Sequence, residues 1–151
     1  MLFATCSFQE FRPEMGIPVR SSRGYPRFRL RYPLVHAMPA TFPEARWLRG
    51  VDKPTFDELY HAKIRAVGVD ALRREADRIR HEEAQALGDD RALEKPIVLL
   101  CFERWNQKKD PGWCHRHSFQ AAWSDLAGED VPELGALPRR ELAADDDPTL
   151  F

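Results

Sequence analysis

Cys114, His115, Arg116 and His117 occupy consecutive positions directly ahead of SFQAAWSDLAG, in which Phe119, Ala122, Trp123 and Leu126 recur at helical spacing. The four therefore fall in the first turn of a helix. Backbone N–H groups there lack intrahelical partners and carry the positive end of the helix dipole, a setting that attracts anions and lowers a thiol's pKa. Arg116 adds a fixed positive charge to both effects. Upstream, Cys101 and Glu103 stand two residues apart where the apolar run PIVLLCF ends. Positions i and i+2 of a strand point to one side, so these two side chains leave the strand tip together.

Three kinds of chemistry suit this set. In the first, Arg116, the helix start and Arg20 hold a phosphate while Glu103 or His115 moves a proton. The second is a metal site built from Cys101, Cys114 and His115 or His117; only Cys114 with His117 supplies the closely spaced pair that zinc usually chooses. The third is nucleophilic catalysis by the Cys114 thiol, although no extended phosphate-cradling loop accompanies it. The first reading predicts Cys101, Glu103, Cys114 and His115 as a catalytic set. Its ligand-binding set is Ser7, Arg20, Arg27, Arg116 and His117. No cofactor is indicated. Against all three stands a plain alternative: Cys101 within LLCF is a small buried hydrophobe, and a buried Glu–Arg pair merely orders a loop.

Positioning these residues requires a sheet and a helix in contact, and the sequence supplies alternating candidates. LFATCSF (residues 2–8) and IPVRS (17–21) read as short strands separated by Pro13 and Gly16. FRLRYPL (28–34) alternates apolar residues with arginine, as a half-exposed strand or extended segment would. Thr55 and Glu58 form a capping-box pattern ahead of FDELYHAKIRAVG, and Gly68 ends that helix. A second helix runs from Val69 to Leu87, with Leu72, Ala76, Ile79 and Ala86 on its buried stripe. His61 and His81 fall among charged neighbours as solvated groups. PIVLLCF is continuous enough for a central parallel strand buried on both faces, and VPEL (131–134) for a short last strand. The predicted fold is α/β: a single three-layer domain, residues 1–135, with a mostly parallel sheet flanked by helices. Ligands of such sheets bind beyond the carboxyl ends of the strands.

The chain has 151 residues, 43% hydrophobic and 31% charged, which suits one globular domain. No apolar run is long enough for a bilayer span, and Glu10 and Arg12 interrupt the N-terminal stretch before a signal-like core develops, so a cytoplasmic protein without a membrane is expected. Three cysteines without framework spacing suit reduced thiols. Net charge is only −1 but unevenly placed. Residues 1–50 carry eight arginines, no lysine and three acids, whereas residues 129–151 carry seven acids and two arginines. Arginine without lysine favours bidentate capture of phosphate or carboxylate. Residues 136–151, with Asp145 to Asp147, read as an acidic, flexible tail. Trp105 and Trp113 flank the lysine-bearing loop, where they would either pack it or stack nucleic-acid bases.

LLCFE at 99–103 followed by CHR at 114–116 resembles the proteins catalogued as domain of unknown function 488. ATCSF at 4–8 is similar to that family's opening strand, and VRSSRGYPRF at 19–28 to its arginine-bearing second strand and basic turn. The resemblance spans most of residues 2–128, with Cys6 and the long loop before Cys114 as departures. It implies an α/β fold and a shared site for Cys101, Glu103, Cys114, His115 and Arg116. Together these features predict binding, extending to processing, of a phosphate-bearing ligand such as a nucleotide or nucleic acid. The alternative is a non-catalytic protein whose arginine face binds nucleic acid or an acidic protein partner.

Overall fold

The computed structural model of the protein describes residues 1–48, 50–102 and 115–135. Four strands, β1 (Phe3–Ser7), β2 (Ile17–Arg20), β3 (His36–Ala37) and β4 (Ile97–Cys101), form one sheet in the order β1-β4-β2-β3. Every pairing is parallel. Ser7 registers with Cys101 and Arg20 with Leu100, so three strands end level with one another. All five residues of β1 and of β4 are buried, as expected of strands covered on both faces.

Alternation along the strands divides the core in two. Phe3, Ile17, Val19, Ile97 and Leu99 pack with residues from the three helices α1 (Lys53–Val67), α2 (Val69–Leu87) and α3 (His115–Ala127). Phe3 meets Phe119 and Trp123 edge-on, with ring centroids 5.2 and 4.8 Å apart, which locks α3 onto β1. On the opposite face Ala4, Cys6, Val98 and Leu100 are covered by Phe8, Phe11, Tyr32 and partly buried Phe28, Leu30 and Leu34. The domain is thus a single α/β unit with a parallel sheet at its centre. Among the described residues its second covering layer contains no α-helix.

Several elements differ from the sequence reading. α1 begins at Lys53, and Asp52, not Thr55, caps it by accepting the Thr55 N–H at 3.0 Å. Pro54 in the first turn allows this earlier start, because its missing N–H would have had no partner there. The 28–34 segment forms no strand: Pro26 and Pro33 lack ladder donors, and β3 takes the free side of β2 instead. Its predicted alternation survives. Arg27, Arg29 and Arg31 are exposed while Tyr32 is buried. VPEL contributes only a parallel bridge between Glu133 and Thr5, secured by Thr5 N–H to the Pro132 carbonyl and Leu134 N–H to the Thr5 carbonyl. Gly16 enters β2 at φ 147°, where a Cβ would lie 2.5 Å from the Pro96 carbonyl oxygen. Only glycine fits that approach. Among the described residues no helix is long and apolar enough to cross a membrane.

Candidate functional site

After β2 the chain continues toward β3, whereas after β4 it passes through α3 to Glu133 on the far side of β1. Connections therefore diverge beyond the carboxyl ends of β4 and β2, the place where open parallel sheets leave a crevice. The start of α3 fills it. His115 is buried, and its Nε2 lies 2.8 Å from the Ser21 carbonyl oxygen and 3.3 Å from Ser21 Oγ. A carbonyl only accepts, so Nε2 carries the proton and Nδ1 is the bare nitrogen. Nδ1 faces Cys101 Sγ at 3.4 Å. Ser21 Oγ donates to the Leu100 carbonyl at 2.8 Å, which joins β2 and β4 at the same level. Burial, reinforced by the charge of Arg116, pushes the His115 pKa down to about 4, so the ring is neutral at pH 7.

The next residue turns toward β1. Arg116 has a fully buried side chain, and its Nε donates to Glu133 Oε1 at 2.8 Å. Thr5 Oγ1 donates to that same oxygen at 2.9 Å, Gln120 donates to Thr5 Oγ1 at 2.9 Å, and the Gly135 N–H donates to Glu133 Oε2 at 3.0 Å. Glu133 is therefore fully engaged as a carboxylate. Arg116 is not. Its Nη1 and Nη2 are buried and have no hydrogen-bond partner among the described residues. At the end of β1, Glu10 accepts from Ser7 Oγ at 2.7 Å. Carboxylate oxygens of Glu10 and Glu133 lie 2.9 and 2.8 Å from the point where a Gly135 Cβ would stand, so a side chain there would have to displace one of the two carboxylates.

The structure thus brings together Ser7, Cys101, His115 and Arg116 at the strand ends. Cys101 is disulfide-bonded, contrary to the expectation of three reduced thiols, while Cys6 is a free, buried thiol whose pKa is raised by burial. Glu103 and Cys114 lie outside the described residues, as do Trp105, Trp113 and the acidic tail. Among the described residues no cluster of three or more metal-ligating side chains forms. Arg20 does not join Arg116. It registers with Leu100 on the other face, its Nη1 donates to the carbonyls of Ser22 and Arg23 at 2.6 and 3.0 Å, and its guanidinium lies over the Tyr25 and Phe42 rings. Arg27 is exposed on the covering segment. His117 is half-buried, with its pKa lowered to about 4 by burial and then by Arg116; with Gln120 and Glu133 it lines an open groove of about 680 Å³.

Sequence reasoning missed Glu10, Ser21, Gln120 and Glu133. A weak signal existed for Glu10, since Ser7-x-x-Glu10 has capping-box spacing and the Glu10 N–H does donate to Ser7 Oγ. Nothing local marked Glu133, which meets Arg116 only because the chain after α3 returns beside β1. Among the described residues Glu133 pairs with Arg116. No family model, no curated protein and no solved structure matches the chain, so its relationships rest on these residues and their geometry.

Proposed function

We propose that the protein binds a phosphate-bearing ligand, a nucleotide or a nucleic-acid phosphate, at the carboxyl-terminal end of its sheet. The observation that carries this reading is the outer edge of the Arg116 guanidinium: two buried nitrogens that donate to none of the described residues. Leaving such donors unpaired costs roughly 1–3 kcal/mol or more for a charged group, and a phosphate oxygen pair is the acceptor their planar fork matches. Glu133 consumes Nε and orients the fork, and the first turn of α3 adds its dipole. Kinship with the domain of unknown function 488 family is proposed with it. It is supported by the convergence of three of the stretches that carry the resemblance: Thr5 and Ser7 of ATCSF, Arg20 and Ser21 of VRSS, and Cys101 of LLC stand at neighbouring strand ends.

Calorimetric titration with inorganic phosphate and a nucleoside monophosphate tests the reading, using the wild-type chain and Arg116→Lys. Lysine keeps the charge and loses the fork, so affinity is expected to fall about tenfold or more while the melting temperature verifies folding. Wild-type protein that binds neither probe, or a folded Arg116→Lys variant that binds both as well as wild type, overturns it. In the first case the Arg116 nitrogens serve ordered water alone.

A further inference from the structure

We infer that the ligand is a single-stranded nucleic acid, held on a rim of exposed rings and arginines formed by the 23–31 segment and the end of β4. This inference rests on the phosphate-binding reading and names its substrate class. Tyr25 is 55% exposed, yet it is not a loose side chain. Its hydroxyl donates to the Leu34 carbonyl at 2.6 Å, and the Arg20 guanidinium backs its ring at 5.3 Å. Phe102, the residue after Cys101, is 38% exposed and is fixed from behind by Phe8, with ring centroids 5.0 Å apart. Gly24 lies between the two: a Cβ there would stand 3.6 Å from the Phe102 ring. Two partly exposed aromatic rings therefore stand near a residue without a side chain, both anchored so that little rotamer entropy remains to be lost on binding.

The surrounding charge is complementary to a polynucleotide. Arg23, Arg27, Arg29 and Arg31 are all exposed, and Arg27 and Arg29 form no ion pair among the described residues. Arg23 is held against Glu44 at 3.2 Å, a pair open to solvent on both sides. Phe28, Leu30 and Tyr32 pack inward between the arginines and so hold the row outward. Positive charge alone would accept a duplex or an acidic protein equally well. Fixed, exposed rings decide the matter, because unpaired bases offer a π-face that a duplex buries within its own stack and that an acidic peptide lacks. The rim begins where β2 and β4 end, so a strand lying across Tyr25 and Phe102 runs at the same end of the sheet as His115 and Arg116.

Fluorescence anisotropy on the full chain tests the inference. The probes are a labelled pyrimidine oligonucleotide, the same sequence as a duplex, and polyglutamate. The single strand is expected to bind at least roughly tenfold more tightly than either competitor. Replacing Tyr25 and Phe102 together by leucine keeps their bulk but removes the stacking faces, and should erase that preference. Arg27→Gln with Arg29→Gln should flatten the salt dependence by about 1.4 in log K against log salt, two phosphate contacts at about 0.7 each. Duplex or polyglutamate bound as tightly as the single strand overturns the inference, as does an unchanged preference in the leucine variant. Failure of the pocket reading looks different: it leaves every oligonucleotide result in place while the mononucleotide fails to distinguish Arg116→Lys from wild type.

Discussion

His115 Nε2 donates to the carbonyl of Ser21, 94 residues earlier in the chain, across 2.8 Å of buried space. That bond fixes the tautomer, closes the crevice between β2 and β4, and aims Nδ1 at Cys101.

A buried neutral histidine makes folding sensitive to acid. The His115 pKa stands at about 4 in the folded chain against 6.5 when unfolded, so between these values the unfolded state binds more protons. Stability is then full above pH 6.5 and declines as pH falls toward 4, with a contribution on the order of 3 kcal/mol from this residue. Urea melts at pH 7.5 and pH 4.5 should show the loss. His115→Gln, which retains a donor for the Ser21 carbonyl, should remove much of the difference. Equal pH dependence in both proteins would mean that His115 is not buried as described.

Arg116 and Glu133 form a buried pair, with side-chain exposures of 0% and 6%. Arg116→Met leaves a carboxylate in the interior with only Thr5 and Gly135 as donors, and is expected to cost about 3–5 kcal/mol. Adding Glu133→Gln removes the uncompensated charge, so the double variant should be less destabilised than the two single losses combined, by more than about 1 kcal/mol. Chemical denaturation of the four proteins checks this. Additive losses would show that the two side chains act independently.

The start of α1 offers a comparison between neighbouring residues. Asp52→Ala removes the acceptor of the Thr55 N–H and should cost about 1 kcal/mol. Thr55→Ala lies inside the helix, where alanine is the better helix former, and should cost much less. The reverse order, read from thermal melts, would place the helix start at Thr55 after all.

Much of the fold was legible in the sequence because its signals are local. A continuous apolar run such as IVLLC has few uses other than a doubly covered strand, and Gly68 and Gly88 punctuate helices that periodicity already outlines. The place of His115 and Arg116 was legible for the same reason: they are adjacent in the chain, and a helix start confers a known electrostatic character on whatever stands there. The 28–34 segment marks the limit. Its alternation foretold which side chains face outward, but whether it pairs as a strand depended on β3, a two-residue competitor for the same edge.

What the amino-acid order determined by itself, then, was the principal strands and helices and the imidazole and guanidinium groups that begin α3. Tertiary structure alone decided their partners. Ser21 reaches His115, Glu133 reaches Arg116, and Thr5 reaches Gln120 across separations of 94, 17 and 115 residues. Such contacts leave no periodic trace, because they are set by strand order and by where the chain returns after α3. For the same reason Arg20, one residue out of phase with Val19 in β2, serves the opposite face of the sheet from Arg116. A strand's two-residue repeat, not closeness in sequence, sorts side chains between the two faces.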